Sequence, residues 1–149
     1  MTYIIIALVV ALALAPLTHF LPSKAQRRQA HLREVAAQQG MMVEFRSLPS
    51  QGSASERLPH SGIIYYGWRL RPSKGRERRR GAWIHEVDGW RSLGERVPVP
   101  AALAQLPPLI LAASVDEISC GIYWQETGDE EIIRQIQCCL QAWASTLAP

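Results

Sequence analysis

The sequence predicts an α+β chain, with a single N-terminal transmembrane helix followed by a small two-layer domain, a mostly antiparallel sheet with helices on one face. Three observations predict it. Residues 3–21 carry no formal charge if His19 is neutral. Several later stretches alternate apolar and polar residues with the period of a strand, and the chain closes on an amphipathic segment of helical period. The implied division is a span over 3–21, a basic juxtamembrane helix over 22–40 and a cytoplasmic α+β domain over 41–149.

The charge-free run holds 19 residues, which at the helical rise cover about 28 Å, close to the hydrocarbon thickness of a bilayer. A signal peptide would begin with a positive region, and Met1 and Thr2 supply only the α-amino group. Ala11, Ala13 and Ala15 imitate a cleavage site, but Lys24, Arg27, Arg28 and Arg33 follow the run directly. By the positive-inside rule such cations stay in the cytoplasm. The sequence therefore predicts a retained anchor in a bacterial inner membrane, N-terminus outside. Cys120, Cys138 and Cys139 show no spacing of a disulfide scaffold, and reduced thiols agree with that compartment.

Ser23 caps a weakly amphipathic basic helix that runs to about Gln39, where Gly40 stops it. Met41, Val43 and Phe45 then alternate with Met42, Glu44 and Arg46 as in a half-buried strand. Residues 48–62, LPSQGSASERLPHSG, lack any period and read as an exposed loop. IIYYGWRLR over 63–71 and AWIHEV over 82–87 are strands, and Asp88-Gly89 marks a hairpin turn into WRSL. These stretches suggest a meander with Trp68, Trp83 and Trp90 as packing aromatics. VPVPAALAQLPPLILAAS, punctuated by Pro100, Pro107 and Pro108, reads as a connector with one short helix. Cys120, Ile122 and Trp124 form the apolar set of a last strand. Thr127 or Asp129 caps a final helix whose stripe is Ile132, Ile133, Ile136, Cys139, Leu140, Trp143 and Leu147.

Charge divides unevenly along the chain. Of 16 Lys and Arg and 13 Asp and Glu, residues 116–149 hold one Arg and six acids, so the front is strongly basic. The densest feature is PSKGRERRRG over 72–81, placed by the meander at a hairpin tip. Neutralised phosphates supply most of the affinity of such clusters. Anionic lipid headgroups stand first among its ligands if a span tethers the domain, an acidic protein surface second and nucleic acid third. Stacking of RNA bases would require Tyr65, Tyr66, Trp68 and Trp83 to be exposed.

Enzyme signatures are thin. The chain has no glycine-rich phosphate loop, no His-Glu-x-x-His and no CxxC. His85 and Glu86 fall on opposite faces of a strand, and Cys138 and Cys139 point about 100° apart on a helix. No catalytic residue, metal or cofactor is expected.

Taken together with LPSKAQRRQAHLREV, the opening run resembles the anchor and juxtamembrane helix of the YajC family, small single-span accessory subunits of the bacterial Sec translocase. The likeness covers about residues 3–36, with Pro22, Lys24, Arg27 and Arg28 matching the family's proline and basic helix. The family's glycine-rich segment is absent, since Gly40-Met41-Met42-Val43 passes directly into a strand. The resemblance implies topology and an accessory role more than translocation itself. The expected function is a noncatalytic, membrane-tethered cytoplasmic interaction module, an accessory subunit of an inner-membrane protein complex. The alternative is an anionic-lipid or RNA binding domain using the loop 74–80. The candidate partner- or phosphate-binding residues are Lys24, Arg27, Arg28, Lys74, Arg76, Arg78, Arg79 and Arg80.

Overall fold

A computed structural model describes residues 1–15, 22–49, 62–72, 80–94 and 97–147. The element order is α1 (Thr2–Leu14), α2 (Lys24–Gln38), β1 (Met42–Glu44), β2 (Ile64–Arg69), β3 (Gly81–Glu86), β4 (Gly89–Ser92), a 3₁₀ helix (Ala101–Gln105), β5 (Ala112–Val115), β6 (Ser119–Trp124) and α3 (Glu130–Leu147). Two compact units divide the chain, Met1–His31 and Leu32–Pro149.

The α+β class holds, but the expected transmembrane helix does not. α1 spans 13 residues, about 20 Å at the helical rise against a hydrocarbon core of about 30 Å. The charge-free run predicts one continuous helix, yet its last residues, 16–21, lie outside the described part, and Pro16 opens them. Among the described residues no helix is long and apolar enough to cross a membrane. The single-pass, inner-membrane assignment with the N-terminus outside falls with the span. In its own unit α1 buries none of its side chains.

The ends of α2 follow from local chemistry. Ser23 Oγ accepts from the Gln26 N–H at 3.2 Å, and Gln26 Oε1 accepts from the Ser23 N–H at 2.8 Å, a reciprocal capping box. Gly40 takes φ +83° beyond the last turn, and the Met41 N–H reaches back to the Ala36 carbonyl, the αL termination that glycine permits without a Cβ penalty.

In the larger unit six strands form one antiparallel sheet in the order β1-β2-β6-β5-β3-β4. β5 is a strand that the sequence reading folded into its connector. It and β6 form a hairpin inserted between β2 and β3, so the expected meander through residues 63–92 is only its last half, the β3–β4 hairpin. That hairpin turns at Val87 and Asp88, with Gly89 alone at positive φ (+117°).

Alternation sorts the strand residues onto two faces. Tyr66, Trp83, Ile122 and Trp124 join Leu32 and Ala36 of α2 and Ile133, Ile136, Leu140 and Trp143 of α3 in the main core. Trp83 meets Trp143 edge-on at 5.6 Å between centroids, a favoured arrangement of aromatic quadrupoles. The opposite face carries a second cluster around Tyr65, Ile84, Leu93, Ala112 and Tyr123, with Leu48 packed against it. All six residues of β6 are buried, because both faces are covered.

Residues 45–49 cross that second face as a strap. Arg46 lies over the Tyr65 ring, 4.1 Å from its centroid. Pro49 lines a cavity with Gly81 and Ala82 at the far side of the sheet. Leu48 and Pro49 are thus packing residues rather than the start of an exposed loop, whose remaining positions 50–61 lie outside the described residues. Phe45, expected to point inward, is 80% exposed.

Candidate functional site

The pairing order decides where the basic residues go. β2 and β3 run antiparallel but are separated by the β5–β6 hairpin, so the connection from Leu70 to Arg80 begins and ends beside the 116–118 turn of that hairpin. The Leu70 N–H donates to the Ile118 carbonyl at 2.8 Å. Arg80 donates to Glu117 Oε1 at 2.6 Å across an exposed surface. The connection from β2 to β3 therefore does not join neighbouring strands as a hairpin, as expected; its described ends, Leu70 and Arg80, both meet the 116–118 turn at one end of the sheet.

Of the predicted site residues in this connection, Arg80 is described, and Lys74, Arg76, Arg78 and Arg79 lie outside the described residues. Lys24, Arg27 and Arg28 stand exposed on the first turns of α2, in the first unit. Among the described residues no carboxylate meets any of the three. The same end of the sheet adds two arginines that the sequence reading took only as strand residues, Arg69 at the close of β2 and Arg71 beyond it, both exposed. Their signal was in the sequence: RLRPSKGRERRR is one continuous basic run that a strand boundary had cut in two.

Most of the described arginines of the larger unit are paired internally. Arg33 binds Glu126 with both prongs, Nε to Oε1 at 2.8 Å and Nη2 to Oε2 at 2.6 Å, and Tyr66 Oη donates to Oε1 at 2.9 Å. The Glu126 side chain is wholly buried, whereas that of Arg33 is one-third exposed (34%). Its hydrogen bond to Glu126, against the cost of burial, raises the Arg33 pKa above its ordinary value. Burial first, then the adjacent Glu126 charge, push the Tyr66 hydroxyl far up. This triad ties the part of α2 within the larger unit, at Arg33, to the sheet.

Arg46 makes a second structural cluster. It donates to Glu44 at 2.6 Å and to Asp116 at 3.2 Å while stacked on Tyr65, whose hydroxyl bonds Ser119 Oγ at 3.0 Å. Burial would raise the Asp116 pKa. The N–H groups of Ile118 and Ser119, the Ser119 hydroxyl and Arg46 outweigh that cost and hold the carboxyl below its usual value. Elsewhere Arg91 pairs with Glu86 and Arg134 with Glu131. Among the described residues no carboxylate lies against Arg69.

His85 stacks on Trp90, with ring centroids 4.8 Å apart, and its Nδ1 lies 3.1 Å from the Ile110 carbonyl. Cys120 and Cys139 are buried and Cys138 is exposed. Burial, then its neighbour Cys138, raise the Cys139 pKa. Among the described residues no group of three or more His, Cys, Asp or Glu could hold a metal ion. Tyr65, Tyr66 and Trp83 are at most 1% exposed and Trp68 is half-buried. The strand aromatics thus work in the two cores and not as an open stacking surface.

No family model matches this chain. No curated protein and no solved structure matches it either.

Proposed function

We propose that this chain is a noncatalytic interaction module that binds an acidic surface of a partner protein through the cationic end of its sheet. The observation that carries the reading is topological. Arg69, Arg71 and Arg80 lie at one end of a two-sided core, where the described acids of the adjoining turn are Asp116 and Glu117. Those two acids are already paired with Arg46 and Arg80. A field of one sign steers association with a complementary surface and suppresses wrong partners.

Two competing ligands are less well supported. The preference for lipid headgroups rested on a spanning tether, and among the described residues no helix can supply one. Single-stranded nucleic acid wants exposed aromatic faces as well as cations, and the flanking aromatics are spent on packing. Copurification with the native chain and with a chain carrying Gln at Lys74, Arg76, Arg78, Arg79 and Arg80 tests the reading. A protein retained by the first and lost from the second, and released by salt, is expected. Equal retention by both chains, or retention of nucleic acid alone, would count against it.

A further inference from the structure

The smaller unit, Met1–His31, carries a helix that buries none of its own side chains. The large apolar residues of α1 are exposed by 50% at Val10 up to 86% at Tyr3, and from Ile4 to Leu14 no side chain is polar. At about 100° per residue, Ile4, Ile5, Ile6 and Leu14 point to four different sides. A helix docked on a protein surface buries one stripe and keeps a polar back. α1 has no such back, so its match is a medium that surrounds it, the interior of a large protein or a lipid phase.

The backbone of α1 is ready to leave water. The Ile4 and Ile5 N–H groups reach the Met1 carbonyl at 3.2 and 3.3 Å, and the Ala15 N–H reaches the Ala11 carbonyl. Its ladder thus closes within the helix, which is the condition that lipid imposes on a backbone.

The charge of the same unit decides between the two media. Residues 1–31 contain Lys24, Arg27 and Arg28 but no Asp or Glu. The three cations are exposed, and their i, i+3, i+4 spacing puts them on one face of α2. Among the described residues no carboxylate meets them. Leu14 and Lys24 are ten positions apart, a chain length of at most about 35 Å, so one surface can meet both features. Acyl chains answer the helix and anionic headgroups answer the cations, whereas a protein interior offers no charged boundary of that kind.

We propose that the Met1–His31 unit docks on an anionic lipid surface, with α1 among the acyl chains of one leaflet and Lys24, Arg27 and Arg28 among the headgroups. α1 does not cross. Its length of about 20 Å falls short of a hydrocarbon core of about 30 Å but exceeds a leaflet of about 15 Å, which it enters obliquely. The attachment is independent of the acidic partner proposed for the sheet, and either can fail alone.

Flotation of the full chain tests it, with vesicles of phosphatidylcholine mixed with phosphatidylglycerol and with vesicles of phosphatidylcholine alone. The native chain should float with the mixed vesicles. Gln at Lys24, Arg27 and Arg28 should weaken that binding on the order of a hundredfold, since each cation near an anionic surface contributes about fivefold. Ile5→Asp with Val9→Asp should abolish flotation with both vesicles. Because α1 buries nothing, an unchanged denaturation midpoint of the larger unit excludes unfolding as the cause. A chain with Gln at Lys74, Arg76, Arg78, Arg79 and Arg80 should float as the native one does.

A native chain that stays unbound, or flotation undiminished by either the α1 or the α2 substitutions, would overturn the proposal. Loss of binding in the 74–80 variant alone would move the lipid contact to the sheet and overturn it too. A lipid-free oligomer of defined size, dispersed by the α1 substitutions and unaffected by vesicles, would give α1 to a second copy of the chain instead.

Discussion

Glu126 is the one non-glycine residue with positive φ (+55°) among the described residues, and its carboxylate is buried against Arg33 and Tyr66. A left-handed backbone and a buried charge are each costly, and the charge is answered by Arg33 and Tyr66. Removing one partner strands the other charge. Arg33→Ala should lower unfolding stability by on the order of 3 kcal/mol, the low end for breaking a buried pair because Arg33 is itself partly exposed. Denaturant titration measures this, and Arg33→Met with Glu126→Leu should recover much of the loss. Asp116 predicts a pH effect. Its folded pKa lies below the unfolded value of about 3.9, so its contribution is complete above that value and is lost as pH falls through the folded one. Acid unfolding of Asp116→Asn should therefore show a shallower slope on the acid side and a lower plateau at neutral pH. Neither residue was legible in the sequence: WQETGDEE reads as a polar turn, and the partner of Glu126 lies 93 positions away.

At the scale of elements, the second face of the sheet depends on two absent side chains. The Tyr65 ring lies across Gly67 on its own strand and Gly121 on β6, where an added Cβ would run into it. Arg46 of the strap then covers the ring from above. Gly121→Ala should displace the ring and cost about 1–3 kcal/mol, as overpacking does, with Gly67→Ala acting alike. Thermal unfolding of the two variants, and the loss of near-ultraviolet tyrosine signal, would show it. An unchanged melting temperature would mean that Tyr65 does not rest where the glycines place it. The elements that could be read directly were those with a strong period, the final strand and the helix from Glu130, whose expected stripe is buried at Ile133, Ile136, Cys139, Leu140 and Trp143 and half-buried at its ends, Ile132 and Leu147. β5 could not be read, since Ala112-Ala113-Ser114 has weak strand preference and follows a proline-rich stretch. Its strand state comes from β3 and β6 on either side, and such non-local pairing leaves no local mark.

Across the whole molecule, the order of the strands converts a linear charge pattern into a spatial one. With β5 and β6 between β2 and β3, the most basic stretch of the chain is anchored at both feet to a single end of the sheet. The sequence carried the cations but not this placement, because a meander and an inserted hairpin share the same local patterns. The 19-residue run misled in the opposite way: its length suggested a span, while α1 ends at Leu14. The central claim is that the cationic end holds an acidic protein partner. Photocrosslinking in cells from a benzophenone residue at Pro72, quantified for the native chain and for Arg69→Glu with Arg71→Glu and Arg80→Glu, tests it most directly. The account predicts one dominant protein adduct whose acidic segment carries the crosslink and whose yield falls at least about tenfold on charge reversal. An adduct of undiminished yield in the reversed chain, or crosslinks to nucleic acid alone, would contradict it.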